Sequence, residues 1–189
     1  MFVLKVKASS FVGLNVNREV VEGEGEADIA ASTIHMGVHR ARPDAVCAFH
    51  VHPPYCTALG IFPNCHRFFV ISLGRGFPRV VEILLDRILI VLADDFCFFL
   101  GTLKNPELGM HSQNACMFYN QIAYDRVYSG PSVDEEEGMR TAKQLGDKSV
   151  LFMCNHGVLV VAPNAARAMD HTYYLERACM NQVRFAELL

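Results

Sequence analysis

The sequence lacks the marks of a secreted, membrane-spanning or nucleic-acid-binding chain. It has seven cysteines, an odd number, and none stands in C-x-x-C spacing. They read as reduced thiols of an intracellular protein, not as a disulfide framework or a zinc ribbon. Basic charge is not in excess: 17 Lys+Arg stand against 20 Asp+Glu, with a pI near 6.2, which excludes a polybasic nucleic-acid binder. No secretory signal is read at the start, MFVLKVKASS, because Lys5 and Lys7 interrupt the apolar run a signal needs. One segment, Val80–Leu100, imitates a membrane span but carries Glu82, Asp86, Arg87, Asp94 and Asp95. Each such charge costs roughly 2.5–3.5 kcal/mol near the bilayer centre, so no span is expected. No G-x-G-x-x-G fingerprint, internal repeat or low-complexity linker occurs. The expectation is a cytoplasmic protein with no membrane or nucleic-acid partner.

What is present suits a globular fold. A net charge of −3 with 51% apolar residues excludes disorder. A chain of 189 residues supports one domain with one core, residues 1–189. Phe11–Val21 predicts a hairpin around Asn15–Arg18, followed by the acidic turn GEGEAD. Asp28–Arg40 predicts a helix from the spacing of Ala30, Ile34, Gly37, Val38 and Ala41, ended by Pro43. Ala45–His52 alternates as a strand, with Val46, Ala48, His50 and His52 on one face. Asn114–Tyr128 is expected to be helical. Ser132 with Glu135 predicts a capping box for a helix over Asp134–Leu145, ended by Gly146. Ser149–Cys154 and Val158–Val161 read as strands joined by the turn Asn155-His156-Gly157, with Gly157 allowing a sharp backbone. A last helix runs from Asn164, with Ala165, Met169, Thr172, Leu175, Cys179, Val183 and Ala186 on one face.

The chemistry centres on histidine. Period two puts His50 and His52 on one strand face, close enough to chelate one metal ion. Alone, H-x-H also fits a pair of satisfied or half-exposed histidines. His156 adds a third imidazole in a turn fixed by two strands, where functional side chains concentrate. His35 and His39, four apart on a helix, fit a second metal site or an ordinary helix surface. Glu176 fits helix charge pairing or support of the metal ligands.

These residues carry a resemblance. ARPDAVCAFHVHPPYCTAL (41–59) and LGDKSVLFMCNHGVLVVAPNAARAMDHTYYLERAC (145–179) resemble the class II aldolase/adducin domain family. The shared marks are R-P-D, H-x-H-P, L-G-D-K and N-H-G in that order. The resemblance implies an α/β fold: a three-layer α/β/α sandwich with a mainly antiparallel central sheet. It also implies a divalent metal, usually zinc, on His50, His52 and His156. Such a metal would be a Lewis acid that polarises a carbonyl and stabilises an enediolate. Tyr128 falls near a tyrosine that acts as acid across a subunit interface in aldolases. A homo-oligomer, commonly a tetramer, and a small-molecule substrate are implied as well.

The chain departs from the family pattern in three places. The position of the aldolases' glutamate before the R-P-D helix is Ala31, with Glu26 and Asp28 displaced nearby. ASSFVGLNVNREVVEG resembles the segment just after the family's serine-rich phosphate-binding loops, so an N-terminally truncated domain is expected. Residues 61–101, with seven of the thirteen Phe, have no counterpart. Removing them gives TALG-TLKNPELGMHSQN, which reads as uninterrupted family sequence. They form an atypical insertion, either a gene-model artefact or a lid or oligomer contact. Two functions follow. One is a metal-dependent lyase-type enzyme of the aldolase, decarboxylase or epimerase kind, acting on a small oxygenated substrate, with activity impaired by the departures. The other is a non-catalytic adducin-like module with a role at the actin cytoskeleton or as a scaffold.

Overall fold

The computed structural model describes residues 10–61, 107–128, 130 and 134–186, with the backbone alone of 90–93, 96–99 and 186. A first hairpin pairs β1 (Gly13–Leu14) with β2 (Val20–Glu22). Asn15 makes its turn: its side-chain oxygen accepts from the amides of Asn17 and Glu19. Helix α1 (Ile29–Ala41) begins at Asp28, whose carboxylate accepts from the Ala31 amide at 2.7 Å. Strand β3 (Cys47–Val51) leads through Pro53 into the short helix α2 (Pro54–Leu59). Then follow the hairpin β4 (Ile90–Ala93) and β5 (Phe96–Phe99), α3 (Gln113–Cys116) and β6 (Ile122–Asp125). The chain continues through α4 (Glu135–Leu145), β7 (Val150–Met153), β8 (Val158–Ala162) and α5 (Ala165–Ala186).

The central sheet has the order β3-β8-β7-β6. β3–β8 and β8–β7 are antiparallel, and β7–β6 is parallel. Alternation divides its residues between two cores. Leu151, Met153, Leu159, Val161 and Ala48 pack with Ile34 and Val38 of α1 and Leu145 of α4. Val150, Phe152, Val158 and Val160 pack with Leu59 of α2, Phe118, and Leu175, Cys179 and Val183 of α5. The result is the expected three-layer α/β/α sandwich with a mainly antiparallel sheet. α1 and α4 touch backbone to backbone: a Cβ on Gly37 would come 2.2 Å from the Gly138 carbonyl oxygen. The R-P-D and L-G-D-K segments also meet. Arg42 grips Asp44 through two bonds of 2.8 and 2.6 Å and donates to the carbonyls of Gly146 and Lys148. Those motifs therefore tie the ends of α1 and α4 together.

Several expectations need correction. Asn114–Tyr128 is not one helix. The helix stops at Cys116, Asn120 takes a left-handed turn (φ 56°), and β6 then joins the sheet. The free side of β7 offers backbone partners that override local helix preference. Ile122 and Tyr124 then face one core and Ala123 the other. The cap of α4 is Asp134, which accepts from the Glu137 amide at 2.8 Å; Ser132 lies outside the described residues. Gly146 does end this helix, at φ 57°. On α5 the buried stripe is Ala168, Leu175, Ala178, Cys179 and Val183, while Met169 is exposed. The stripe is set by where the helix crosses the sheet, one position away from the expected one in its first turn. Val46 lies outside β3 and is exposed. Cys47, Cys56, Cys116 and Cys179 are free thiols, but Cys154 is disulfide-bonded, against the expectation of reduced thiols throughout. The insertion 61–101 lies outside the described residues, apart from Ile61 and the backbone of β4 and β5. Among the described residues, no helix is long and apolar enough to cross a membrane.

Candidate metal centre

His50 sits on β3 opposite Leu159 of β8, and His52 follows the end of that strand. The β7–β8 turn brings His156 to the same end of the sheet. This turn is latched from both sides: the Cys154 amide donates to the Asp125 carbonyl at 2.9 Å, and the Asn155 amide to the Gly60 carbonyl at 3.1 Å. Sequence reading gave Gly157 the task of a sharp backbone. In fact Asn155 holds the left-handed conformation, φ 52°. Gly157 is required for space: a Cβ there would stand 2.3 Å from Cδ2 of His52 and 2.6 Å from the Val51 carbonyl oxygen.

The three imidazoles converge. Nε2 of His50 is 3.2 Å from Nε2 of His156 and 3.2 Å from Nε2 of His52. One ligand atom from each of the three lies within 4.8 Å of the others. A tetrahedral zinc with bonds of about 2.0–2.1 Å separates its ligand nitrogens by about 3.3–3.4 Å, so the two close spacings suit a shared ion. Nδ1 of His50 lies 3.3 Å from the Val158 carbonyl oxygen. A proton donated there leaves the Nε2 lone pair for a metal and fixes the ring. Burial, and then the neighbouring His156 and His52, hold His50 down to a pKa of about 4. Burial and His52 also lower His156, while the charge of Glu137 opposes this. His50 and His156 are thus held towards the neutral form that a metal needs. Three nitrogen donors leave a fourth position open, as a catalytic zinc requires. The residues present fit a divalent ion.

The other candidates fall elsewhere. Tyr128 is half exposed and lines a cavity shared with His156, Asp125, Glu137, Arg140 and Met153. His39 gives its Nδ1 to the Ala45 carbonyl at 2.9 Å. His35 stands 6.0 Å from it, ring to ring. Neither belongs to a metal-competent cluster among the described residues. Glu176 reaches across from α5 and accepts from the amides of Tyr55 and Cys56 at 3.1 and 2.9 Å. It caps the first turn of α2, directly after the His52-Pro53 corner. Sequence reasoning also missed Asp125, Glu137 and Arg140, which form an ion network on the cavity wall. Asp125 was hidden by the helix expected over 114–128. Asp28 is engaged as the cap of α1, and position 31 carries no carboxylate.

Comparisons with known proteins point to one family. The model of the family "Class II Aldolase and Adducin N-terminal domain" matches residues 2–183. A putative aldolase class 2 protein of Caulobacter vibrioides is 28% identical over 184 residues, covering 97% of this chain and 55% of that protein. Decarboxylase NovR of Streptomyces niveus is 26% identical, over 87% of this chain and 46% of its own length. Alpha-adducin of Rattus norvegicus is 28% identical, over 95% of this chain and 19% of its own. The chain thus spans about half the length of the first two relatives and a fifth of the third. The solved structure of an aldolase II superfamily protein from Pseudomonas syringae superposes with a TM-score of 0.66 at 22% identity, covering 94% of this chain and 55% of that one; it shares the fold.

Proposed function

The chain belongs to the class II aldolase and adducin N-terminal domain family, and on that premise we propose that it is a metal-dependent lyase-type enzyme. Its substrate is a small oxygenated molecule, sugar-derived compounds among them. The observation that carries the reading is the convergence of three imidazoles, His50, His52 and His156, on one point. A divalent ion bound there, zinc in our reading, supplies Lewis acidity to a carbonyl and so favours carbon–carbon cleavage or decarboxylation.

The protein's own residues do the rest. His50 and His156 are held by the sheet and the latched turn, so the donors need no reorganisation on binding. Tyr128, which lines the same small cavity as His156, gives or takes a proton at a substrate oxygen in our reading. Ala31 provides no base, so sugar-phosphate aldol cleavage is slow, and decarboxylation, which needs no such base, is favoured. Exposed Phe11, Val16, Val21 and Ile29 suit burial in a homo-oligomer, a tetramer in our reading. A cytoplasmic setting is our reading: it suits the free thiols of Cys47, Cys56, Cys116 and Cys179, and the bonded Cys154 stands against it. Residues 1–189 act as one domain in this reading, with 61–101 as an insertion.

Ala31 and the adducin relative favour a second reading, a non-catalytic module that docks on the actin cytoskeleton. The experiment compares zinc-loaded and chelated protein on ketose phosphates such as fuculose 1-phosphate and on small oxo acids. Metal-dependent turnover abolished by His50→Ala supports the enzyme. No turnover, together with co-sedimentation on actin filaments, supports the module.

A further inference from the structure

We propose that the cleft between the β1–β2 turn and the helices α1 and α4 is a second ligand site, which takes the phosphate group of a small organic phosphate on Arg18. The inference does not depend on the metal reading. The cleft has a volume of about 220 Å³, and its lining includes Asn17 and Arg18 of the turn, Thr33, Met36 and Arg40 of α1, and Glu135 of α4. That is room for several waters, at about 30 Å³ each. It is less than the roughly 300–1,000 Å³ of pockets for drug-sized molecules. The space suits a ligand of a few carbons with one charged group.

The charges on this lining do not balance: two guanidiniums stand against one carboxylate. Glu135 is held by Arg40, which also donates to the Val16 carbonyl at 2.9 Å. Glu19, the acid next to Arg18 in sequence, accepts instead from the Asn15 side-chain amide at 2.7 Å. Arg18 forms no ion pair among the described residues. Its Nη1 donates to the hydroxyl of Thr33 at 2.8 Å, and Thr33 is 3% exposed. A buried threonine thus anchors the guanidinium and leaves its Nε and Nη2 edge open. Arg42 uses the same edge to grip the two oxygens of Asp44. An open fork of this kind receives the paired oxygens of a phosphate or carboxylate. A phosphate has further oxygens for the Asn17 side-chain amide, and a carboxylate has none to spare. Met36 offers the carbon part an apolar contact. The backbone adds an independent sign. Arg18 has φ 66°, a left-handed conformation that glycine takes without strain. An arginine kept there points to a task for its side chain.

The test uses metal-free protein, so that no ion at the histidines binds the probes. Glycerol 3-phosphate, inorganic phosphate and glycerate are each titrated by calorimetry at one fixed, low ionic strength. Glycerol 3-phosphate is expected to bind at one site per chain, at least threefold more tightly than either of the others. Arg18→Gly removes the guanidinium at a backbone position that suits glycine. It is expected to weaken binding at least tenfold while circular dichroism shows the fold retained. Arg18→Lys, which keeps the charge without the fork, is expected to weaken binding severalfold. Glu135→Gln, which frees Arg40, is expected to tighten it severalfold. No saturable binding of glycerol 3-phosphate, tighter binding of glycerate or inorganic phosphate, or an affinity unchanged by Arg18→Gly overturns the proposal. Should Arg18→Gly unfold, opposite shifts in Arg18→Lys and Glu135→Gln support the proposal and any other pattern overturns it. Failure of zinc to bind, titrated separately, overturns the metal reading and leaves this site standing.

Discussion

Adding a single methyl group at Gly157 tests the packing of the site. In Gly157→Ala the new Cβ would stand 2.3 Å from Cδ2 of His52, 3.2 Å from its Cγ and 2.6 Å from the Val51 carbonyl oxygen. Carbon atoms at rest lie about 3.5–4.0 Å apart, so at least one group must retreat by about 1 Å. Val51 is paired with Val158 in the β3–β8 ladder, and its carbonyl cannot move without disturbing the sheet. The His52 ring gives way instead. Its Nε2 is 3.2 Å from Nε2 of His50, and metal–ligand distances tolerate only about ±0.2 Å. A displacement of about 1 Å therefore removes one of three ligands. We expect zinc affinity to fall at least 100-fold, which is about 2.8 kcal/mol at 1.4 kcal/mol per decade. The metal-free fold should lose about 1–3 kcal/mol from overpacking. Zinc competition against a chromophoric chelator gives the first number, and denaturant unfolding without metal gives the second. His52→Ala should reproduce the affinity loss without the overpacking penalty. Gly157→Ala binding zinc within threefold of wild type would refute the reasoning, because His52 would then not be a ligand or the turn not packed against it.

Three further outcomes follow from the same contacts. Gly37→Ala drives a methyl group to 2.2 Å from the Gly138 carbonyl oxygen between α1 and α4; it should cost at least about 1–3 kcal/mol in denaturant unfolding, and a neutral result would show that the helices can separate. Glu176→Gln leaves only one oxygen acceptor for the amides of Tyr55 and Cys56; it should lower stability by about 0.5–2 kcal/mol and weaken zinc binding, whereas unchanged zinc binding would confine Glu176 to capping. His50, held to a pKa of about 4, stays neutral in the fold while the unfolded chain takes up its proton near about 6.5. Stability of the metal-free protein should therefore be at its plateau above about pH 6.5 and fall as the pH drops towards 4, and His50→Gln should flatten that slope in acid-unfolding curves.

The sequence made the three-layer fold and the three histidines legible for different reasons. The three-layer fold was legible only through the family resemblance, because β7 and β8 are apolar throughout, whereas alternation over Ala45–His52 put His50 and His52 on one face. His156 was legible because a turn between two apolar strands can only lie at a sheet end. The segment 114–128 was misread because its pairing partner, β7, is distant in sequence, and short apolar runs carry no signal of such pairing. The same misreading concealed Asp125 and with it the network through Arg140 to Glu137. The contact of Glu176 with the amides of Tyr55 and Cys56 was not readable, since it depends on α5 crossing the start of α2. Gly157 was legible as a necessary glycine but for the wrong reason, because a sequence shows that a turn is tight and not what packs against it.

The central claim is that His50, His52 and His156 hold one metal ion together. X-ray absorption at the zinc edge of the purified, zinc-loaded protein tests it most directly, because free thiols in this chain offer an alternative ligand set that the method distinguishes. The account predicts one zinc per chain, with three imidazole nitrogens at about 2.0–2.1 Å and an oxygen ligand completing the shell. Sulfur at about 2.3 Å, or an imidazole count unchanged by His156→Ala, would contradict it.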